Sequence, residues 1–125
     1  MTTTPEVVAK AAELKRLHEA PEILRVVNVW DAITTKVVSS LDATKAIATA
    51  GHSIAAAHGY KDGTIPLELA LAAVERIVGA TDLPVTADLD AGFGNPGETI
   101  RLELARTHPG HWVTAVWITA AWQHA

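Results

Sequence analysis

Short apolar segments rich in β-branched residues alternate with helix-like segments along this chain, and that alternation limits the fold more than any other feature. The strand-like segments are 25–30, 45–49 and 83–87, with helical spacing of apolar residues before and between them. A strand–helix–strand succession predicts parallel strands joined by helical crossovers. The sequence therefore predicts an α/β fold whose functional residues lie where strands end and helices begin.

The predicted helices have recognisable starts. An N-terminal helix is predicted over 6–18, and a second begins after Asp31, a residue type that caps helices well. A third begins at Pro66, whose fixed φ suits a first helical turn. Between the second strand and Pro66, the small residues from Gly51 to Gly63 predict a loop.

Composition excludes several classes of protein. Of 125 residues 49% are apolar, so a core can form, and a formal net charge of -4 with scattered Lys and Arg gives no basic face for nucleic acid. There is no Cys, which excludes disulfides and thiolate metal sites. No apolar run reaches the length of a membrane span, and no signal peptide is visible. We expect a cytoplasmic protein without nucleic-acid or membrane partners.

Asp88 and Asp90 end the third predicted strand and carry the sharpest chemical signal. Alternate side chains of a strand share a face, so both carboxylates can point the same way. Two carboxylates at the carboxyl end of a parallel sheet form a hard oxygen site that suits Mg²⁺ with retained waters. The alternative, which is commoner for an isolated Asp-x-Asp, is a pair of solvated turn residues. For Asp62, on an earlier strand-end loop, a hydrated loop residue is likewise the simpler interpretation.

The segment 92–97 matches G-x-G-x-x-G, the dinucleotide-binding pattern, in its usual place after a strand. Asp88 and Asp90 would repel a pyrophosphate there, and no acidic residue follows Glu103 to bind the ribose. A dinucleotide-binding domain is therefore only a remote alternative.

Four other residues have simple structural interpretations. Trp30 packs at the end of the first strand, and Asp31 caps the following helix. His52 and His58 lack Ser and Asp partners at a diagnostic spacing, so a hydrogen-bonded structural role is favoured for both.

Four segments in a fixed order together resemble one enzyme superfamily. They read Asn-Val-Trp-Asp-Ala at 28–32, Ala-Thr-Ala-Gly-His-Ser at 48–53, His-Gly-Tyr-Lys-Asp-Gly at 58–63 and Ala-Asp-Leu-Asp-Ala-Gly-Phe-Gly at 87–94. In this order they resemble the first three strand-end loops of the isocitrate lyase / phosphoenolpyruvate mutase superfamily. The last segment is the most specific, and the resemblance covers roughly 14–101.

The resemblance implies the first three βα units of a (β/α)8 TIM barrel with an N-terminal helix. It also implies bound Mg²⁺ or Mn²⁺ and a small 2-oxo or hydroxy carboxylic acid as substrate. Members of the superfamily cleave or form C–C bonds next to a carboxylate, or rearrange P–C bonds. A metal-dependent carbon–carbon lyase or phosphonomutase is the expected ancestral activity, in which the ion stabilises an enolate-like transition state.

The same resemblance implies two groups of site residues. Asp88 and Asp90 hold the ion or its waters, and Asp62 supports that water shell. Three further residues lie along the substrate's carboxylate with backbone N–H groups as donors, and two line the same mouth. These five substrate-binding residues are Thr49, Ala50, Gly51, Trp30 and Asp31.

The chain departs from the superfamily after residue 101. A complete barrel needs about 250 residues, and neither the fourth-strand acid nor the Lys-, Cys-, Gly- and His-bearing catalytic loop of many lyases has a counterpart. Residues 102–125 hold three of the four Trp and no acid after Glu103, a composition typical of a G+C-rich frame translated out of register. We expect a barrel segment at 1–101, a frameshifted or truncated tail at 102–125, and no catalytic residue in this chain.

Three functions remain open: a superfamily enzyme with impaired activity, a non-catalytic metal-binding fragment, and the remote dinucleotide-binding domain. An incomplete barrel leaves a free sheet edge and uncovers the inner faces of its strands. We expect Ile47 and Val85, with Val27 and Val29 or their alternates, on those inner faces. Exposed apolar area of this kind favours association into homo-oligomers.

Overall fold

The computed structural model describes residues 5–90, 93–95, 97–99, 101 and 115–117. Helices and strands alternate along the described chain, as predicted. The elements are α1 Pro5–Glu19, β1 Val27–Val29, α2 Ala32–Ser39, β2 Ile47–Thr49, α3 Gly51–Ala57, α4 Leu67–Gly79, β3 Val85–Asp88 and β4 Ala115–Trp117. Within the described ranges, no helix is long and apolar enough to cross a membrane.

The four strands form one parallel sheet in the order β1-β2-β3-β4. Val27 lies opposite Ile47, which in turn lies opposite Val85. Parallel neighbours require crossover connections; α2 makes the first, and α3 with α4 make the second. The predicted α/β class with a parallel sheet is confirmed.

The sheet has one strand more than the three predicted. The backbone of β4 pairs with β3, placing Ala115 opposite Thr86 and Trp117 opposite Asp88. This strand comes from the segment 102–125, most of which lies outside the described residues. Its regular parallel pairing continues the sheet in chain order. That the segment 102–125 is a frameshifted or truncated tail stays a prediction.

The connection after β2 differs from the loop predicted over 51–63. Its first seven residues form α3, in which Ile54 and Ala55 are buried. Ala has the highest helix propensity of any residue, and three Ala stand in succession at 55–57. Their propensity, together with the packing of Ile54 into the core, outweighs the low helix propensity of Gly51 and Ser53. Gly59, with φ +80, follows the end of α3 in a conformation that glycine adopts without strain.

Asp31 begins α2, as predicted. Its carboxylate accepts the N–H of Thr34 at 2.8 Å, and the hydroxyl oxygen of Thr34 accepts the N–H of Asp31 at 3.2 Å. This capping box fixes the turn from β1 into α2. The hydrogen bonds from the Thr34 main chain and side chain lower the pKa of the Asp31 carboxyl.

Alternation along the strands gives the sheet two different faces. One face packs against α3 and α4 in the main core, and its strand residues are Val29, Ile47, Val85 and Ala87. The alternate residues face the opposite side of the sheet: Asn28, Ala48, Thr86 and Asp88.

The prediction that Ile47 and Val85 lie on the inner face is wrong. Both are fully buried on the helix-covered side, together with Val74 and Ile77 of α4. The physical reason is that the crossover helices cover that face and bury its large apolar side chains. A smaller cluster, in which Leu14 and Leu17 meet Ala46, holds α1 beside the amino end of β2.

Candidate metal centre

Asp88 is the last residue of β3 and stands at the carboxyl end of the sheet. Its main-chain N–H donates to Oγ1 of Thr49, at the end of β2, over 2.9 Å. Its Oδ1 accepts the N–H of Asp90 over 3.0 Å. These two hydrogen bonds hold both the end of the strand and the carboxylate in place.

Asp90 turns back toward the loop that follows β2. Its φ of +48 lies in the left-handed region, which Asp tolerates better than most residues with a β carbon. A β carbon added to Gly51 would lie 3.1 Å from Oδ1 of Asp90. The carboxylate therefore lies against the start of α3, in space that glycine leaves open.

Asp90 has two other carboxylates near it at this end of the sheet. Burial raises the pKa of Asp90, and the negative charges of Asp88 and then Asp62 raise it further. A bound cation would relieve this repulsion, and carboxylate oxygens are the ligands that Mg²⁺ prefers in proteins. The residues present therefore fit the ion that the sequence predicts.

The described residues supply only part of a ligand set. Among them, no three His, Asp or Glu side chains are close enough together to hold one ion. Magnesium commonly binds one or two carboxylates and keeps several waters, and Asp88 with Asp90 fit that pattern. Asp62 is near enough to affect the pKa of Asp90, which suits contact through a water shell rather than direct ligation.

Asp62 has a second neighbour that the sequence does not reveal. Its Oδ2 lies 3.7 Å from Nδ1 of His52 in the first turn of α3, and both side chains are largely exposed. Such a pair contributes little to stability, but it links the loop of Asp62 to α3. The other histidine, His58, has Nδ1 2.8 Å from the carbonyl oxygen of Ile54, which is a hydrogen bond of the kind predicted for it.

The segment 49–51 borders the carboxylate pair. The resemblance implies that its backbone N–H groups face a substrate's carboxylate, and the structure does not leave all three residues in that position. Thr49 is fully buried, and its hydroxyl holds the main chain of Asp88. The N–H of Ala50 donates to the carbonyl of Val29 at 2.8 Å. That donor is therefore engaged within the sheet, and Gly51 is the residue of this segment that lies against Asp90.

Trp30 and Asp31 follow β1 at the same end of the sheet. The N–H of Trp30 donates to Oγ1 of Thr34 at 3.2 Å, and its side chain is partly exposed. The carboxylate of Asp31 caps α2. The main chain of Trp30 and the side chain of Asp31 thus have local structural roles, and the contact of either residue with a substrate stays a prediction.

The model of the phosphoenolpyruvate phosphomutase family matches residues 14–108 of the chain. The match covers well over half of the sequence and includes every residue of the candidate site. The chain belongs to this family. The superfamily predicted from the four strand-end segments is thereby confirmed.

Solved structures resemble this family member over most of its length. A Burkholderia cenocepacia J2315 protein, provisionally named a phosphonomutase, is 44% identical with a TM-score of 0.67, over 74% of this chain and 38% of its own. The phosphoenolpyruvate phosphomutase of Streptomyces platensis subsp. rosaceus is 25% identical with a TM-score of 0.72, over 86% and 37%. A 2,3-dimethylmalate lyase, named as a member of the PEP mutase/isocitrate lyase superfamily, is 28% identical with a TM-score of 0.67, over 87% and 38%.

This family member therefore spans little more than a third of the length of those structures. A search of curated proteins gives no match.

Proposed function

We propose that this chain carries the metal-binding part of a Mg²⁺- or Mn²⁺-dependent enzyme. The enzyme would cleave, form or rearrange a C–C or P–C bond in a small 2-oxo or hydroxy carboxylic acid. The observation that carries the proposal is the juxtaposition of Asp88 and Asp90 beside Gly51 at the carboxyl end of a parallel sheet.

Family membership supports the reaction class, because the solved relatives include proteins named as mutases and lyases. A phosphonopyruvate hydrolase that shares this fold was solved with oxalate and Mg²⁺. Its 18% identity makes it a guide to the fold rather than to individual residues. The donor chemistry of this chain's own carboxylates supports the same ion.

In this proposal Asp88 and Asp90 hold the ion or its waters, and Asp62 orients the water shell. The ion supplies Lewis-acid stabilisation of negative charge that develops on the substrate. Thr49 positions Asp88 through its main chain. Gly51 leaves the space that the Asp90 carboxylate occupies.

The substrate's carboxylate is proposed to lie along Thr49, Ala50 and Gly51. Since the N–H of Ala50 is engaged with Val29 and Thr49 is fully buried in an inner strand of the sheet, the backbone N–H proposed to bind the carboxylate is that of Gly51. Trp30, with its exposed side chain, and Asp31 would border the same mouth. Their position after β1, at the end of the sheet that carries Asp88, supports this arrangement.

We further propose that the 125-residue chain alone does not turn over a substrate. It contains no Cys and no acid after Glu103, so β4 brings no carboxylate to the end of the sheet. The main alternative is a non-catalytic metal-binding fragment, and it rests on the same observations. The two differ in whether a second polypeptide with the remaining barrel strands restores activity.

A metal titration tests the site directly. Mn²⁺ binding is measured by calorimetry for the wild type, Asp88→Ala and the control Asp42→Ala, which removes an exposed carboxylate at the opposite end of the sheet. We expect weak binding by the wild type and the control, and at least a tenfold loss in Asp88→Ala. Equal affinities in all three would mean that Asp88 is only a turn residue.

An activity assay tests the second part of the proposal. The purified chain is incubated with Mg²⁺ and, in turn, 2-methylisocitrate, isocitrate, oxaloacetate and phosphonopyruvate. We expect no turnover of any of the four acids. Measurable turnover that Asp88→Ala abolishes would show that this chain contains a complete active site, contrary to the proposal.

A further inference from the structure

Asp62 lies in a turn whose main chain is fixed by hydrogen bonds, while its side chain is largely free. The N–H and the hydroxyl of Thr64 both donate to the carbonyl oxygen of Lys61, at 3.0 and 2.6 Å. The side chain of Asp62 is 57% exposed, and His52 is the one basic group within 4 Å of it among the described residues. The turn therefore fixes where the carboxylate starts, whereas the choice of rotamer, and with it the direction of the carboxylate, depends on that contact.

The first turn of α3 touches two carboxylates that belong to different loops. Gly51 lies against Asp90, and the next residue, His52, has Nδ1 3.7 Å from Oδ2 of Asp62. The helix is a firm support for these contacts, because Ile54 packs in the main core. A single helical turn therefore connects the loop of Asp62 with that of Asp90.

We propose that His52 is a positioning residue, which directs the carboxylate of Asp62 toward the pair formed by Asp88 and Asp90. The inference rests on the proposed function, in which Asp62 orients the water shell of the ion. With hydrogen on Nδ1, the imidazole attracts Oδ2 of Asp62 and leaves Oδ1 as an acceptor for water. Outer partners of this kind orient the groups around many protein metal sites. His52 itself touches neither the ion nor the substrate.

The contact is suited to directing a side chain rather than to stabilising the fold. At 3.7 Å, Nδ1 and Oδ2 are too far apart for a hydrogen bond, and the side chain of His52 is 75% exposed. An exposed electrostatic contact changes an equilibrium by about fivefold at most. Replacing His52 by Ala does not weaken α3, because Ala has the higher helix propensity. Loss of the imidazole is therefore expected to alter metal binding and to leave stability unchanged or slightly raised.

Calorimetric titration with Mn²⁺ tests the role with three variants at position 52. His52→Ala removes the imidazole, and we expect an affinity about two- to fivefold weaker than that of the wild type. His52→Asn keeps a donor nitrogen near the place of Nδ1, whereas His52→Gln carries its nitrogen near the place of Nε2. Since Nδ1 is the atom that faces Asp62, we expect His52→Asn to restore most of the affinity and His52→Gln to restore little.

His58→Ala is the matched control. His58 follows the last turn of the same helix, and its Nδ1 contacts the carbonyl oxygen of Ile54 rather than a carboxylate. We expect this variant to bind Mn²⁺ as the wild type does. Thermal denaturation followed by circular dichroism checks that every variant is folded under the conditions of the titration.

A double-mutant cycle shows whether His52 acts through Asp62. Asp62→Asn removes the charge that His52 contacts, and we expect it to weaken Mn²⁺ binding by itself. In that background His52→Ala is expected to have no further effect, because two residues that act as a unit are not additive.

Asp88→Ala separates failure of this inference from failure of the proposed function. If the wild type binds no Mn²⁺, or Asp88→Ala binds it equally well, the metal site is absent and the role of His52 falls with it. If Asp88→Ala loses affinity and His52→Ala does not, the metal site stands and the positioning role is wrong. The role is also wrong if His58→Ala weakens binding as much as His52→Ala, or if His52→Ala still weakens binding in the Asp62→Asn background.

Discussion

The two faces of the sheet are built from the same strands but differ in what they bury. The face under the helices is apolar and includes Val29, Ile47 and Val85. The opposite face presents polar residues such as Asn28 and ends at Asp88. Because successive side chains alternate, neighbouring residues of one strand belong to opposite faces. Stability and metal binding are therefore separable by substitutions placed on one face or the other.

A substitution beneath the helix-covered face is expected to have the largest effect. Ile77 of α4 is completely buried in the main core, and Ile77→Ala leaves a cavity that costs about 2–5 kcal/mol of unfolding free energy. Leu69→Ala on the same helix is the control, because Leu69 is partly exposed. Thermal denaturation followed by circular dichroism gives both values.

If stability and metal binding are separable, Ile77→Ala keeps the Mn²⁺ affinity of the wild type under conditions in which the variant is folded. A loss of affinity in the folded variant would show that the core face and the carboxylate pair are coupled. Equal destabilisation by the two substitutions would show instead that α4 does not pack as described.

Thr49→Val is expected to affect both faces, at an intermediate size. The substitution removes the hydroxyl that accepts the N–H of Asp88 and leaves that donor without its partner, at a cost of about 1–3 kcal/mol. Because the end of β3 is then less well held, Mn²⁺ affinity is expected to fall as well. Thr49→Ser keeps the hydroxyl and is expected to restore affinity more than stability. Denaturation and titration of both variants give the two quantities, and an unchanged affinity in Thr49→Val would exclude the positioning role.

Sequence pattern was sufficient for β1, β2 and β3, although not for β4, because the signals of those three strands are local. Each strand is a short β-branched run beside Pro, Gly or Asp, and the bounds differ from prediction by one or two residues. The helix α3 was missed because its stability depends on burial of Ile54 in a core that the local sequence does not contain. The inner and outer faces of β2 and β3 were interchanged for a similar reason, since the path of the crossover helices decides which face is covered.

In the candidate site, too, the residues with a local sequence signal could be predicted, and the contacts that depend on the tertiary structure could not. Asp88 and Asp90 were recognisable from their spacing and from family resemblance. The contact of Thr49 with Asp88 joins residues 39 positions apart, and no local spacing signals it. The engagement of the Ala50 N–H with Val29 likewise depends on strand pairing.

A smaller effect, confined to the metal site, is expected for Gly51→Ala. The added β carbon would lie 3.1 Å from Oδ1 of Asp90, so the carboxylate has to move by a few tenths of an ångström. We expect a several-fold weaker Mn²⁺ affinity with nearly unchanged thermal stability, since Gly51 does not need a left-handed backbone. Gly97→Ala is the control, because its nearest neighbour would be 3.9 Å away. Unchanged affinity in Gly51→Ala would mean that Asp90 is not a ligand or that it adjusts freely.

The smallest effect expected is a pH dependence that arises from Asp90 in the metal-free chain. Burial, then Asp88 and Asp62, raise its pKa in the folded state, so between the unfolded and the folded pKa the folded chain binds more protons. The contribution of Asp90 to stability is therefore complete below the unfolded pKa and is lost as pH rises through the folded pKa. The carboxyl is partly exposed, so solvent screening keeps this slope small.

Asp90→Asn isolates that contribution. The melting temperatures of the variant and the wild type are measured in the presence of a chelator from about pH 4 to pH 8. The decline of melting temperature with rising pH that Asp90 causes is expected to be absent from the variant. At neutral pH the variant is expected to be at least as stable as the wild type. Saturating Mg²⁺ is expected to reverse the order, because a ligand that binds only the folded state stabilises it by mass action and the variant lacks one carboxylate. Asp42→Asn controls for general charge. A wild type that stays less stable than Asp90→Asn at every Mg²⁺ concentration would show that no ion relieves the repulsion on this face of the sheet.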